Sequence, residues 1–484
     1  MLVYNSVTRD SRVMREASTL QAAGHEVTVV GVPDSEADAP FDTAEEGVAI
    51  HRVHWQEDAM ARARRSAPLR LVPSIILTGF VIWGFVVLPW IGKAVLAVLL
   101  GVALLYIRRR MRQTKVPSEA VLKHWAEALF AGTARHGEFP PPKSLFPAWI
   151  PEILLELALE PVDQLRGPFD RFVRYRYRAQ AVAQHAIALK PDVIHAHDCT
   201  TLPAAVAVKK ALGIPLVYDA HEIYEASAGK RLGAVDYYIR IHQRFLRYVD
   251  RFITINRCAA AFYRDAYPFL PPAVILRNAA LGEEPFAYDG RLHDAAGLPR
   301  SEKILLYQGS YTGDRGLETL VRAGNLLPDG WTLVMMGWGP TEQELRRIAG
   351  ASPKVRFVPA APRLELGHWT AGASAGIIPY EGTVLNHWIC TPNKLWEYPN
   401  VGVPLIVQPF PELRDVVETY GCGWVMPEET PESIAALVES LTGEMLVRAH
   451  EACRRFIEAD SWEAAYRQKL IDLYGSIPAA KAAA

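Results

Sequence analysis

The sequence predicts an α/β protein with two doubly wound domains facing a central cleft and a hydrophobic helical hairpin inserted into the first. Three observations carry this. Short β-branched runs alternate with helical stretches in both halves of the chain, the pattern of parallel sheets. The length of 484 residues exceeds what one hydrophobic core usually serves. The stretch 71–107 is apolar throughout, with Lys93 its only charge.

The elements follow in chain order. A brief strand at 2–5 leads into a helix at 11–23 and a strand at 27–32. Further strands are expected at 193–195, 216–219 and 252–256, with helices at 201–212 and 236–248. After the loop 282–300 a second series of strands runs through 304–309, 332–337, 355–358, 376–379, 404–407 and 423–426. The first domain is therefore drawn at 1–285, with an insertion at 58–175, and the second at 286–460. A last helix at 461–476 crosses back to the first. Ligands of such sheets bind outside the carboxyl ends of the strands.

Within the insertion, 71–107 lacks the polar alternation of a soluble amphipathic helix. One membrane span needs ~20 residues, so the run suits two helices that turn near Pro89-Trp90-Ile91-Gly92-Lys93. Arg62, Arg64, Arg65 and Arg70 precede it, and Arg108, Arg109, Arg110 and Arg112 follow it. Both ends thus carry the charge of a cytoplasmic flank. A hairpin that enters and leaves by one face satisfies this, at the cytoplasmic membrane with the domains facing the cytosol. Its second arm is short, so a re-entrant hairpin stays as open as a full crossing. Farther on, Pro140-Pro141-Pro142 marks a turn. The Arg- and Tyr-rich stretch 164–189 reads as a helix returning to the first domain, either covering it or facing the membrane.

Bulk properties exclude some classes. A net charge of −1 gives no sign of a nucleic-acid-binding surface. The five cysteines are scattered and lack metal-ligand spacing, as for thiols in a reducing compartment. The first thirty residues hold no apolar secretory core. No Asp-x-Asp occurs, so a metal–diphosphate clamp is not indicated, and neither metal nor cofactor is expected.

The chemistry concentrates at strand ends. In Thr391-Pro392-Asn393-Lys394-Leu395-Trp396-Glu397-Tyr398, Thr391 is a good N-cap and Pro392 suits the first helical position. A helix N-terminus and the Lys394 ammonium suit a phosphate. Glu397, three residues on, can accept hydrogen bonds from a sugar diol. Phosphate and ribose read by one helix end are what a nucleotide-sugar site needs. Gln308-Gly309-Ser310-Tyr311-Thr312-Gly313-Asp314-Arg315-Gly316 follows a strand, and Arg315 can grip a phosphate bidentately. Gly337-Trp338-Gly339-Pro340 either borders a base or is a plain strand–helix turn. In the first half, His195-Ala196-His197-Asp198 and Asp219-Ala220-His221-Glu222 end successive strands and converge on one crevice. His195 reads as structural and His197 as functional.

These motifs, with Gly402-Val403-Pro404, stand in the order and spacing of family 4 glycosyltransferases of the GT-B fold, which the chain resembles. The opening Arg9-Asp10-Ser11-Arg12-Val13-Met14-Arg15-Glu16-Ala17, then Gly24-His25-Glu26-Val27, and the late Ser461-Trp462-Glu463 resemble them too. The likeness covers most of the chain outside roughly 58–175.

The resemblance implies a hexosyltransferase that moves a sugar with retention from a nucleotide donor, a UDP- or GDP-sugar, without a protein-held metal. It places the donor against Gly309, Arg315, Gly337, Pro359, Asn393, Lys394 and Glu397. Arg315 and Lys394 would neutralise the leaving diphosphate. His197 would contact the donor sugar, and Arg12, His221 and Glu222 fall on the acceptor side. Relatives often carry a Glu where this chain has Ile389, and an Arg where it has Ser310 and Tyr311. With the hairpin, the expected acceptor is a lipid-linked or membrane-proximal glycan, in polysaccharide biosynthesis. The rival readings are a catalytically silent membrane scaffold of the same fold and a nucleotide-sugar epimerase.

Overall fold

The computed structural model describes residues 1–7, 10–34, 38–44, 47–55, 119–133, 167–226, 232–282 and 286–478, with scattered positions between 89 and 98. In the first domain the strands are β1 (Thr28–Gly31), β2 (Phe41–Thr43), β3 (Ala49–Arg52), β4 (Ile194–His197), β5 (Leu216–Ala220), β6 (Arg251–Thr254) and β7 (Ala273–Ile275). The helices are α1 (Ser11–Ala22), α2 (Glu119–Ala131), α3 (Gly167–Ala188), α4 (Leu202–Leu212), α5 (Leu232–Phe245) and α6 (Arg257–Ala266).

The expected opening strand shrinks to Leu2, which bridges Val30 of β1 on one side and Ala196 of β4 on the other. That single residue joins the order β2-β3-β1 to β4-β5-β6-β7. All pairs are parallel except β2 with β3. The chain order reverses at Leu2, so the loop after it and the end of β4 face one crevice.

The second domain holds β8 (Lys303–Ser310), β9 (Trp331–Trp338), β10 (Val355–Val358), β11 (Ala375–Ile378), β12 (Leu405–Val407) and β13 (Gly423–Val425). They form one parallel sheet in the order β10-β9-β8-β11-β12-β13. Its helices are α7 (Arg291–Ala296), α8 (Leu317–Asn325), α9 (Glu342–Ala349), α10 (Leu366–Thr370), α11 (Leu385–Trp388), α12 (Lys394–Asn400), α13 (Pro411–Tyr420), α14 (Pro431–Ser440) and α15 (Gly443–Asp460). The order reverses between β8 and β11, which brings the loop after β8 beside the segment after β11. The β8–β9 register pairs Gly309 with Gly337. A Cβ on Gly337 would lie 1.9 Å from the Gly309 carbonyl oxygen, so this glycine keeps the two strand ends together.

Beyond Ser461 one π-helical turn, Trp462–Tyr466, leads into α16 (Arg467–Gly475), which packs on α1. Trp462 is fully buried, and its indole N–H donates to Thr19 Oγ1 at 2.8 Å. Ion pairs cross between the two domains. Arg277 reaches Glu412 at 2.7 Å and Asp460 at 3.4 Å, and Arg257 reaches Asp415 at 2.7 Å.

The hairpin expected at 71–107 lies, but for those scattered positions, outside the described residues. Among the described residues no helix is long and apolar enough to cross a membrane. The insertion does contribute α2. It packs on α6 of the first domain and on α11 and α13 of the second. Phe130 lies under the Arg257 guanidinium at 3.4 Å, and Glu127 takes both terminal nitrogens of Arg414 at 3.2 and 3.1 Å.

Candidate active site

The segment 389–397 departs from the expected helix start. Helix α12 begins at Lys394 with Asn393 in the cap position, and it has only seven residues. Thr391 caps nothing there; its hydroxyl accepts from Asn256 of the first domain at 3.3 Å. So short a helix has little dipole to offer, and the Lys394 side chain carries the charge. What fixes α12 is Tyr398. Its ring lies where a side chain on Gly376 would be, its hydroxyl donates to Leu306 O at 3.0 Å, and it accepts from Gln308 N at 3.1 Å.

Around α12 lies a cleft of about 630 Å³ lined from both domains. Gly309, with φ +132°, lets the backbone pass so close that a Cβ there would lie 2.9 Å from Lys394 Nζ. Arg315 enters from the loop before α8 and lies 4.1 Å over the Tyr380 ring. Lys394 Nζ is 3.4 Å from the Tyr380 hydroxyl and 5.5 Å from its ring centre. Burial opposes the ammonium charge, but Tyr380, Tyr307 and Glu397 outweigh it and raise the Lys394 pKa. Among the described residues neither cation forms a salt bridge, and the carboxylates that line the cleft with them are Glu222 and Glu397. Glu397 sits behind them and accepts from Gln308 Nε2 at 2.9 Å.

The first domain supplies the facing wall. Asp219, fully buried at the end of β5, is the hub. Arg12 Nε and Nη2 each donate to it at 2.8 Å, and His221 Nε2 lies 2.9 Å away. Burial pushes the Asp219 carboxyl up, but Arg12 and His221 hold it well below the usual carboxylate range. Burial likewise opposes the charge on His221, and the carboxylates of Asp198 and Asp219 raise it to about 9. A second polar cavity of about 310 Å³, lined by Asn5, Asp10, Arg12, Asp34 and Asn278 among others, adjoins the cleft, and both share His221, Asn278 and Asn393.

The residues named from sequence fall in three groups. Gly309, Arg315, Asn393, Lys394, Glu397, His221 and Glu222 line the cleft, and Arg12 lines the second cavity. Pro359 and Gly337 lie beside the cleft, whose wall there is formed by Ala360 and Ala361. His197, expected to touch the donor sugar, is wholly buried and lines neither cavity. It lies 3.3 Å from His221, so His221 is the ring that meets the cleft.

Sequence reasoning missed Asn278, Tyr380 and Asn386, which line the cleft from loops and a one-turn helix without a spacing signal. It also missed Glu16, whose carboxyl is raised to about 8 by burial and by Asp219. Among the described residues, Glu16, His195, His197 and Asp219 bring possible metal-ligand atoms within 4.8 Å of one another. Arg12 Nε already lies 2.8 Å from Asp219 and 3.2 Å from Glu16, so a cation there would face a fixed guanidinium.

Comparison with known proteins agrees with this architecture. Residues 137–279 match the family described as Glycosyltransferase Family 4, and residues 302–444 match Glycosyl transferases group 1. A D-inositol 3-phosphate glycosyltransferase of Streptosporangium roseum is 26% identical over 211 residues, 39% of this chain and 48% of that protein. The chain spans about half the length of the curated relatives it matches. The sucrose-phosphate synthase of Thermosynechococcus elongatus superposes with a TM-score of 0.61 at 14% identity, covering 96% of this chain and 92% of that one. HepE of Anabaena, solved in complex with UDP and glucose, gives 0.52 at 14% identity, over 62% of this chain and 81% of its own. These structures share the fold.

Proposed function

We propose that this glycosyltransferase, a family 4 domain followed by a group 1 domain on the GT-B fold, moves a sugar from a nucleotide donor to a lipid-linked glycan. The observation that carries the donor half is the pair Arg315 and Lys394. Two cations, one from the loop before α8 and one from the start of α12, meet at Tyr380 without a salt-bridge partner among the described residues. Such a pair suits a diphosphate whose negative charge grows as it leaves. Glu397, which lines the same cleft, would accept from the ribose hydroxyls, and a UDP- or GDP-sugar fits the demand; the UDP in HepE supports the first.

The acceptor is read into the polar cavity at Asp10, Arg12 and His221, next to the donor. In the reaction we infer, the bond from the anomeric carbon to the diphosphate breaks as the acceptor oxygen bonds that carbon from the same face. Attack on that face retains configuration, the acceptor proton passes to the leaving phosphate oxygen, and with Arg315 and Lys394 on the diphosphate no protein-held metal is expected. His221, charged at neutral pH, orients the sugar, with His197 acting through it. The apolar stretch 71–107 and its arginine flanks support attachment to the cytoplasmic membrane, with the cleft facing the cytosol, where lipid-linked glycans raise local acceptor concentration.

The test is a binding and turnover screen of detergent-purified protein against UDP-, GDP-, ADP- and dTDP-sugars, beside a Lys394→Ala/Glu397→Ala variant. One donor bound by the wild type and lost in the variant supports the reading. A folded sample that binds none would sink it. NMR of the product's anomeric proton then reads retention directly.

A further inference from the structure

We propose that Asn256 is a positioning residue for the donor site: one side-chain amide caps a helix in the first domain and holds the segment of the second that leads into Lys394. This rests on the reading that Lys394 meets the donor diphosphate.

Asn256 is fully buried at the end of the stretch that carries β6. Its Oδ1 accepts from Ala259 N at 2.8 Å and so caps α6. Its Nδ2 points the other way, across the domain boundary, and donates to Ile389 O at 2.7 Å and Thr391 Oγ1 at 3.3 Å. Asn278 repeats the arrangement more loosely. Its Nδ2 donates to Thr391 O at 3.4 Å, while its Oδ1 accepts from Arg12 Nη1 at 3.0 Å. A return contact closes the clasp: Asn386 Oδ1 accepts from Ile223 N and Asn386 Nδ2 donates to Ile223 O, both at 2.9 Å. Each of these asparagines therefore spans the two domains, and the second-domain ends of the contacts, Asn386, Ile389 and Thr391, all lie within eight residues of Lys394.

The two halves of Asn256 do different work. The cap oxygen serves the first domain alone and survives any movement of the second. The amide hydrogens find their partners only while the domains are together. They are spent on the backbone and hydroxyl of the segment that leads directly into Asn393 and Lys394. A buried carbonyl such as that of Ile389 is costly to leave without a donor, so the amide fixes where this segment sits when the cleft is closed. Geometry at a charged site set by a neighbouring domain is a common way for closure to complete a binding site.

The cap and the clasp can be separated by substitution. Serine and aspartate are both good N-caps, so Asn256→Ser and Asn256→Asp keep the oxygen toward Ala259 and lose the donor toward Ile389. Asn386→Ala opens the return contact at a site away from the α6 cap. With UDP and GDP as probes, the expected result is folded protein with about tenfold weaker nucleotide binding and a matching rise in donor KM, the effect of one lost buried hydrogen bond. Acceptor KM should stay at its wild-type value. A purely structural asparagine would lower thermal stability and leave the donor and acceptor KM values in their wild-type ratio. Lys394→Ala runs alongside. If Lys394→Ala binds nucleotide normally, the donor-site reading itself falls. If Lys394→Ala loses binding while folded Asn256→Ser, Asn256→Asp and Asn386→Ala keep wild-type donor KM, the positioning role of Asn256 is overturned and the donor site stands.

Discussion

At Gly309 a side chain is excluded twice. The backbone φ of +132° is a region that L residues rarely adopt, and a Cβ would crowd Lys394 Nζ. Gly309→Ala should therefore cost about 1–3 kcal/mol of stability and weaken nucleotide binding by displacing the ammonium, which calorimetric titration with UDP would read. Unchanged affinity in a folded variant would place the phosphate elsewhere. His221 gives a pH prediction. Its pKa rises from 6.5 to about 9 on folding, so it adds stability that is fully present below pH 6.5 and lost as pH climbs through 9. The shift corresponds to ~3 kcal/mol at most. Wild-type melting temperature should fall more steeply than that of His221→Asn across this window; parallel curves would show that the imidazolium is not held. Lys394, Glu397 and Arg315 were legible because each stands in a motif whose spacing has chemical meaning. Asn256 was not: in sequence it is one more helix cap, and nothing local says that its amide serves a segment more than a hundred residues away. His197 misled because position along a strand does not tell which of two neighbouring rings reaches the surface.

Among the elements, every long strand of the second domain was legible, since Val, Ile and Leu runs bounded by glycine and proline need little context. Three short strands of the first domain, β2, β3 and β7, were not. β2 is three exposed residues, and β7 is Ala-Val-Ile behind Pro271-Pro272; both are strands only because β3 and β6 lend them partners. Helix α2 buries Leu122, Ala126 and Leu129, a helical stripe too rich in small residues to stand out before its neighbours are known. The α12 boundary was placed too early because Thr391 and Pro392 form a good helix start, and the contact with Asn256 overrides that preference. The crossing helix makes a prediction of its own. Trp462→Phe removes the indole N–H that donates to Thr19 Oγ1 and leaves a smaller ring beneath Arg15, whose guanidinium lies 5.6 Å from the Trp462 ring. A loss of ~1–3 kcal/mol is expected in urea denaturation; no change would mean that Trp462 does not hold this helix against α1.

For the whole molecule, the two-domain plan and the place of the cleft were readable from the alternation of strands and helices. How the insertion meets that plan was not, because α2 touches α6, α11 and α13 at once, and contact with three distant elements leaves no trace in local periodicity. Removing 71–107 should shift the protein from the membrane pellet to the supernatant on cell fractionation, with α2 and the cleft left in place. A deletion variant that still pellets would show that some other surface is the anchor.

Residues 462–475 complete a domain whose first helix is 11–22, and this sets an order of events during synthesis. The face of α1 that receives Trp462 and α16 stays uncovered until the ribosome has passed the far end of the second domain, on the order of tens of seconds after α1 emerges. The insertion is exposed well before that moment. Its apolar stretch leaves the ribosome while the first domain is still open, and that domain is closed by the segment translated after everything it closes over. A ribosome stalled anywhere short of residue 461 would hold a chain whose first domain had lost its last-arriving part, and the quality-control machinery would see that unfinished face first.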